Sequence, residues 1–465
     1  MKVFNFLMGL TVALAFYSCD GSPSQRPKKP DNPSGNTPDA ITSRNGYAKG
    51  GGLLIFSEGF STFDPGYMDY MAPDAEAPLK KNIYKEINGS DLPCEPVDIK
   101  FYKDKFYLLV NDKTYSGEGE HLNRYDGMLT ILNAETLVKE QTFRRNDIRI
   151  KREFVSTNLK DPFPPQRAPE VCHVVSPDTV VIYATAPVFF DIAAKDKDYN
   201  ATLIKNTYDL NNKTNQDHDL ANKVTAPILA GRNLFMVETG FYGAHIGLVK
   251  INLDSLAIRK KQNPETITEQ DNKTLPSDFI TKIFTFDNRK IGIITTVLSP
   301  TPGKANITVI DANNFALLES GKIGLPMLRD YYGHTGVFQD ERYLYHARNA
   351  HSAAVGSTCV ISRIDPQKQY AVTKNYIRPA LAVAGVTTAT AKEYRELSKK
   401  CQITAYPVID TVKHLMYVPV TGVNPTTQNN ENYILVYDIA GEAPTLKNKI
   451  EYPKRISLLS LVPYK

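Results

Sequence analysis

An internal repeat of β-hairpins constrains the fold more than any other feature of the sequence. Each copy contains an apolar strand, a tight turn with Asp, Asn, Gly or Pro, and a second apolar strand, as short hairpins require. The six copies are Val97–Val110, Val171–Ala184, Ala226–Val237, Ile280–Thr295, Thr335–Tyr345 and Ile403–Val418. They recur at steps of roughly 50–75 residues, which is the range of repeat architectures.

A second repeated unit follows each of these hairpins. It is an alternating strand that ends in Asn or Asp, whose side chain can accept a hydrogen bond from the backbone two residues on and so begin a turn. The copies are Met128–Asn133, Val188–Asp191, Leu248–Asn252, Ile307–Asp311, Val360–Asp365 and Ile434–Asp438. Because the two series interleave, each period holds four antiparallel strands, which is typical of a β-propeller blade.

The two ends of the chain supply the strands of one more blade. Gly52–Phe56 and Tyr67–Met71 resemble middle strands that lack a first strand, and Ile456–Val462 resembles a first strand with nothing after it. The sequence therefore predicts an all-β fold, a single seven-bladed β-propeller over residues 49–465 with one blade closed by N- and C-terminal strands. Two packed β-sandwich domains are the alternative, which leaves the period unexplained.

Composition is consistent with one folded β unit. The 465 residues are 42% hydrophobic and 23% charged, and 26 Tyr with 20 Phe favour strands. The net charge of +5 is too small for a nucleic-acid footprint. The propeller region has no apolar run long enough for a transmembrane helix, which excludes a polytopic helical membrane protein.

The first residues indicate export and lipidation. Lys2 precedes the apolar stretch Val3–Phe16, and Ser18 followed by Cys19 resembles the cleavage box of bacterial lipoproteins. Residues 1–18 are therefore predicted to be a lipoprotein signal peptide. Residues 19–48 are predicted to be a lipidated Cys19 and a flexible Pro/Ser-rich tether, so that only the lipid contacts the membrane. An ordinary secretory signal is the alternative.

Four further cysteines, Cys94, Cys172, Cys359 and Cys401, could form disulfides in an exported protein. They allow three connectivities, and the sequence does not choose between them. None of them forms a C-x-x-C pair, and four buried free thiols are the alternative.

Long connections are predicted on one face of the propeller, the long-loop face. In an antiparallel blade, the connections between strands two and three and between blades share one face, and the remaining turns share the other. The remaining turns are expected to be short, roughly two to four residues. The long segments on the first face are Asn111–Gly127, Arg144–Pro169, Asn206–Thr225, Glu238–Ile246, Gln262–Asp278, His346–Thr358, Ile377–Lys400 and Gly422–Asn432. Loops on a rigid scaffold often carry function, although relaxed selection is the alternative.

Candidate ligand-binding residues cluster in these connections. They are Phe241, Tyr242, His245, Tyr331, Tyr332, His334, His346, Arg348, His351 and Arg167. Aromatic surfaces with a few polar groups suit a pocket for a large, partly apolar ligand, and histidine could ligate a metal carried by that ligand. Hydrogen-bonded structural residues are the alternative. The segment Ala389–Lys400 has helix-forming composition and is predicted to be a short insert used for packing or partner contact.

The sequence contains no recognisable catalytic motif. It lacks G-x-S-x-G, H-E-x-x-H, P-loop and EF-hand patterns, so the prediction is a non-enzyme with no intrinsic cofactor and no metal site. Glu95, Asp98 and Glu170 could line a central channel. Such carboxylates leave a metal-dependent propeller hydrolase or lyase, for example a lactonase, as the alternative.

A family resemblance is carried by Gly51–Phe60, Pro96–Asn111 and Leu129–Leu137. This succession resembles the YncE-like, surface-layer-type β-propeller lipoproteins of Gram-negative bacteria, relatives of cobalamin-capturing surface lipoproteins that partner TonB-dependent transporters. The resemblance implies an outer-membrane lipoprotein at the cell surface, with the periplasmic side as the alternative. It implies capture of a large scarce nutrient (a corrinoid such as cobalamin, a haem or a ferric siderophore) and delivery to a TonB-dependent outer-membrane transporter. An adhesion or scaffold propeller that binds a protein or glycan is the second alternative.

Overall fold

The described part of the chain begins at Asn45. The computed structural model describes residues 45–57, 65–73, 79–93, 95–111, 127–149, 171–183, 187–194, 200–203, 228–238, 247–252, 279–296, 304–326, 336–348 and 359–464. The predicted signal peptide, Cys19 and most of the predicted tether lie outside these ranges. No helix within them is long and apolar enough to cross a lipid bilayer.

Six antiparallel sheets each come from one continuous stretch of chain, and we number them blades 1–6. Blade 1 contains β3 (Glu95–Tyr102), β4 (Lys105–Asn111), β5 (Leu129–Asn133) and β6 (Lys139–Phe143). Blade 2 contains β7 (Val171–Ser176), β8 (Thr179–Tyr183), β9 (Pro187–Asp191) and β10 (Ala201–Leu203). Blade 3 contains β11 (Ile228–Ala230), β12 (Asn233–Glu238) and β13 (Gly247–Asn252).

Blades 4–6 continue the same antiparallel pattern. Blade 4 contains β14 (Phe279–Asp287), β15 (Lys290–Thr296), β16 (Lys304–Asp311) and β17 (Leu317–Pro326). Blade 5 contains β18 (Gly336–Gln339), β19 (Leu344–Arg348), β20 (Val360–Asp365) and β21 (Ala371–Ile377). Blade 6 contains β22 (Cys401–Ile403), β23 (Val408–Asp410), β24 (Leu415–Val423), β25 (Asn430–Asp438) and β26 (Thr445–Tyr452). The predicted first strand of blade 6 is divided, since β22 and β23 both pair with β24.

These repeated antiparallel sheets make the fold an all-β β-propeller. The structure shows six blades, whereas the sequence predicts seven, one of them closed by the N- and C-terminal strands. The remaining sheet, which we call the terminal sheet, combines β1 (Leu53–Ser57), β2 (Tyr67–Met71) and β27 (Ile456–Leu461) in the order β2-β1-β27.

The terminal sheet joins the two ends of the described chain. Leu54 pairs with Ser460 across β1 and β27, which confirms the predicted pairing of N- and C-terminal strands. A single antiparallel bridge between Tyr70 and Lys80 lies where a fourth strand would be. The Tyr452 hydroxyl of β26 also donates to the buried Asp69 carboxylate of β2, so polar contacts accompany the strand pairing.

Apolar cores between successive sheets hold the propeller together. Because side chains alternate along a strand, each sheet presents one apolar face to the preceding sheet and one to the next. Blades 1 and 2 share a core in which the Phe143 and Phe190 rings meet edge to face at 5.0 Å. Other cores join the terminal sheet to blade 1, blade 3 to 4, 4 to 5, 5 to 6, and blade 6 to the terminal sheet. Arg232 donates to the Val175 carbonyl at 3.1 Å between blades 2 and 3.

Asn and Asp side chains build the turns as predicted. Asn133 Oδ1 accepts the amides of Glu135 and Thr136 at 3.1 and 3.0 Å. Asp311 accepts Asn313 N at 2.8 Å. Asp365, Asp438, Asp287, Asp340 and Asp410 form equivalent bonds. These local bonds satisfy turn amides and favour reversal of the chain at each strand end.

The folded region begins before residue 49. Gly46–Ala48 is a 3-10 turn in which the Tyr47 amide donates to the Glu135 carbonyl at 3.0 Å and Ala48 is buried. Tyr47 and Ala48 thus pack with residues of blade 1 and the terminal sheet, just before the predicted start of the propeller at residue 49. The described helices are α1 (Ile83–Asn88), α2 (Pro379–Ala384) and α3 (Ala391–Ser398).

Candidate functional site

The two faces of the propeller differ in their connections. On the tight-turn face, the hairpins of blades 1–4 turn on the pairs Lys103–Asp104, Pro177–Asp178, Gly231–Arg232 and Asn288–Arg289. On the long-loop face, strand bounds leave the longer connections 112–128, 144–170, 204–227 and 378–400. Antiparallel pairing places these two sets at opposite ends of the strands. The tight turns are observed as predicted, whereas most residues of the first three long connections lie outside the described residues.

Two individual connections differ from their predictions. Gly422–Asn432 is not a long loop, since β24 continues to Val423 and β25 begins at Asn430. On the tight-turn face, residues 192–200 form a connection longer than the expected two to four residues. Both differences arise because strand ends depend on cross-strand pairing, which the local pattern does not reveal.

Most of the predicted ligand-binding residues lie outside the described residues. These are Phe241, Tyr242, His245, Tyr331, Tyr332, His334, His351 and Arg167. His346 and Arg348 are described, and the prediction that they are loop residues is wrong. Both lie in β19, where His346 pairs with Val337 and Ser362 and Arg348 pairs with Val360.

His346 and Arg348 lie on the face of β19 that packs toward blade 4. They share the strand face of Leu344, which belongs to the core between blades 4 and 5. His346 is 6% exposed. Burial lowers the pKa of the Arg348 guanidinium. His346 is therefore a residue of the interface between blades, whereas Arg348, the last residue of β19, lies at the edge of the long-loop face.

The best described part of the long-loop face is a helical insert, residues 378–400. Thr390 and Glu393 form a capping box, in which each side chain bonds to the other residue's backbone amide. This box begins α3 and confirms the helix predicted for Ala389–Lys400. Gly385 ends α2 with φ 69°, a left-handed conformation that glycine adopts without strain.

The insert is anchored to blades 5 and 6. Tyr394 of α3 is buried, and its hydroxyl donates to the Cys359 carbonyl. Tyr394 also packs with Val360 and Ala380. At Gly422 a Cβ atom would lie 2.7 Å from Val383 Cγ1, so β24 approaches α2 closely. The predicted packing role of the segment is thus observed.

Charged and aromatic side chains surround the base of the insert. The Arg378 guanidinium lies 5.4 Å from the Tyr394 ring centre. Lys449 Nζ donates to the Val383 carbonyl at 3.1 Å and lies 4.1 Å from the centre of the Tyr433 ring. Lys449 lies in the outer strand β26, where no local sequence signal marks it as part of the site.

The turn beside the insert, residues 424–429, is fixed by Glu431. Its carboxylate accepts Asn424 Nδ2 at 2.7 Å, the Tyr433 hydroxyl at 2.5 Å and the Thr427 hydroxyl at 2.8 Å. These bonds lower the pKa of Glu431. Burial, and then the neighbouring Glu431, raise the pKa of Tyr433 to about 12. The acid is fully engaged in bonds that hold the turn.

Asp98, one of the predicted channel carboxylates, joins two blades. It is 8% exposed. Its carboxylate accepts Lys100 Nζ, Ile99 N and the Cys172 amide of β7, each at 2.9 Å. Burial lowers the pKa of Lys100, but Asp98 outweighs it and the net shift is upward. This bonding is that of a structural residue between inner strands.

The described cysteines are free thiols in the structure. Cys172 lies in the core of blades 1 and 2, and Cys94 lies outside the described residues. Cys359 and Cys401 approach each other to 3.5 Å between their sulfur atoms. Within the described ranges, His, Cys, Asp and Glu do not form any group of three that could hold a metal ion.

The solved structures that resemble this chain share its β-propeller fold and little of its sequence. No family model matches the chain, and no curated protein matches it. The β-propeller domain of the Trilobed protease from Pyrococcus furiosus is similar over 62% of this chain and 70% of its own, at 9% identity and a TM-score of 0.33. Apo AztD from Citrobacter koseri is similar over 88% and 96%, at 9% identity and a TM-score of 0.40. Chaetomium thermophilum Sqt1, bound to the N-terminus of the ribosomal protein L10, is similar over 86% and 84%, at 11% identity and a TM-score of 0.40. Likenesses this distant say nothing about function.

Proposed function

We propose that this protein is a lipid-anchored outer-membrane propeller that captures a large scarce nutrient on its long-loop face and delivers it to a TonB-dependent transporter. The nutrient is a corrinoid, a haem or a ferric siderophore, and any metal belongs to this cargo. The protein acts as a binding protein and not as an enzyme. Cys19 carries the lipid, and the tether leaves the propeller free of the bilayer.

The difference between the two propeller faces carries the proposal. One face is closed by Asx-stabilised turns such as those at Asn133 and Asp311. The other carries the long connections and the packed helical insert. A rigid scaffold that concentrates its variable segments on one side is suited to binding there.

We further propose that the terminal sheet is a seventh blade that closes the ring. Its pairing of β27 with β1, the bridge at Lys80 and its cores with both blade 1 and blade 6 support this assignment. A closed ring leaves no open sheet edge between the first and last strands. It also brings the long connections of all the blades around one axis.

Isothermal titration calorimetry tests which ligand binds and on which face. The mature protein is titrated separately with cyanocobalamin, haemin and a ferric catecholate siderophore, and one of the three is expected to bind. A Tyr331→Ala/Tyr332→Ala variant of the long-loop face is expected to weaken that binding at least tenfold. Lys368→Ala, on a 3-10 turn of the tight-turn face, is the matched control and is expected to bind like the wild type.

Two results would overturn the proposal. The first is a folded protein that binds none of the three ligand classes. The second is equal weakening by the long-loop and tight-turn variants. Anchoring is tested separately, since Cys19→Ala is expected to release the protein from the membrane fraction, and continued membrane association of that variant would contradict lipidation.

A further inference from the structure

We infer that Cys359 and Cys401 form a disulfide under oxidising conditions and thereby join blade 5 covalently to blade 6 at the base of the helical insert. Their sulfur atoms are 3.5 Å apart. A disulfide needs an approach to about 2.05 Å, so the sulfur atoms must close about 1.5 Å. Cys401 is only half-buried at the start of β22, so a side-chain rotation there is sterically cheaper than in the core.

The residues around Cys359 and Cys401 favour a disulfide over a metal site. Cys359 belongs to the apolar core of blades 5 and 6, and the half-buried Cys401 packs against that core. Val360 and Leu397 pack near Cys401. A metal ion would need further ligands, and no group of three metal-ligating side chains occurs in the described ranges. Two adjacent thiols in an apolar core without such ligands are suited to a structural cross-link.

Exposure sets the order of the exchange steps. The thiolate of Cys401, the less buried residue of the pair, attacks a sulfur of an external disulfide, either oxidised glutathione or a protein dithiol oxidase, and expels one thiolate. The Cys359 thiolate then attacks the Cys401 sulfur of the mixed disulfide and expels the second thiolate. Two protons leave the cysteines, and two electrons reduce the external disulfide. Contact with Cys401 and burial raise the pKa of Cys359, which lowers the thiolate fraction of Cys359 at neutral pH.

The disulfide would hold the helical insert of the long-loop face in place. Cys359 and Cys401 are 42 positions apart, and the loop that they close contains β20, β21, α2 and α3. Tyr394 already binds α3 to the Cys359 carbonyl. A disulfide therefore adds a covalent constraint where the insert and both blades meet. The inference depends on the proposed export only for the source of oxidant in the cell.

The test uses the purified mature chain equilibrated with excess oxidised glutathione, then alkylated, digested without reductant and analysed by mass spectrometry. We expect one peptide pair linked through Cys359 and Cys401, and a melting temperature several degrees above that of the reduced protein. Both signals should be absent in Cys359→Ala and Cys401→Ala. Cys172→Ala, which removes a buried thiol of blade 2, is the control and should retain both.

Alkylation of Cys359 and Cys401 in the folded, oxidant-equilibrated protein would overturn the inference. So would glutathione attached to Cys401 without an internal link. The cellular location of the protein and the redox state of its pair are determined in parallel by fractionation. If the pair oxidises in vitro but the protein in cells lies in the cytoplasmic fraction with the pair reduced, the proposed export is contradicted and the disulfide inference stands.

Discussion

Replacing Asp98 with alanine should destabilise the contact between blades 1 and 2. The carboxylate accepts the buried Cys172 amide at 2.9 Å, and an unpaired buried amide costs about 1–3 kcal/mol. The ion pair with Lys100 contributes only about 0–1 kcal/mol, since the lysine side chain is 39% exposed. Asp98→Ala should therefore lower the free energy of unfolding by about 1–4 kcal/mol.

Thermal denaturation followed by circular dichroism measures this loss. Because the unfolding entropy is about 2 cal/mol/K per residue, each kcal/mol lost lowers the melting temperature of a chain this large by about 1 °C, so we expect a drop of about 1–4 °C. Asp98→Asn, which keeps one oxygen acceptor, should lie between wild type and Asp98→Ala. Asp104→Ala, in the exposed β3–β4 turn, is the control.

Two outcomes would refute this reasoning. One is a melting temperature for Asp98→Ala within 1 °C of the control, which would mean that water replaces the carboxylate at the Cys172 amide without cost. The other is an unchanged melting temperature together with loss of a bound ligand. That outcome would return Asp98 to the channel role predicted from the sequence.

Three further perturbations test the packing within blade 4, the start of helix α3 in the insert, and the pairing of β27 with β1. Gly292→Ala places a Cβ atom 2.3 Å from the Phe284 ring, and this overpacking should lower the free energy of unfolding by about 1–3 kcal/mol. The control is Gly324→Ala, whose Cβ atom would have no atom within 4 Å and which should leave that free energy unchanged. Urea denaturation measures both variants. Hydrogen bonds from Thr390 lower the pKa of the Glu393 carboxyl group. The charged carboxylate therefore stabilises the folded protein fully above the ordinary glutamate pKa of about 4.3. This contribution is lost as the pH falls through the lower pKa that Glu393 has in the folded state. Amide exchange in α3, corrected for intrinsic rates, should therefore accelerate at acidic pH in wild type and change less with pH in Glu393→Gln. Truncation of the chain before β27 should expose the edge of β1 and cause aggregation, which light scattering measures. A truncated protein that stays monomeric and stable would contradict closure of the ring by the pairing of β1 with β27.

The sequence predicted most of the fold because the relevant signals are local. Hairpin turns were identified from Asp and Asn at strand ends, and bonds such as that from Asn313 N to Asp311 form within three residues. The capping box of α3 likewise lies within four residues. Alternating apolar residues fixed the strands, and their period predicted a propeller. The extent of single strands was less predictable, as the segment Gly422–Asn432 shows.

Only the tertiary structure decided what the candidate residues do. His346 was predicted to lie in a loop but faces the core between blades 4 and 5, because cross-strand pairing extends β19 past it. The channel carboxylate Asp98 binds the amide of Cys172, 74 positions away. Cys359 and Cys401 become neighbours although β20, β21 and the helical insert separate them in the chain. The sequence by itself determined the strands, turns and repeat, since these follow from contacts within a few residues. Which side chains meet between blades depends on the packing of segments distant in the chain, and no local pattern records it.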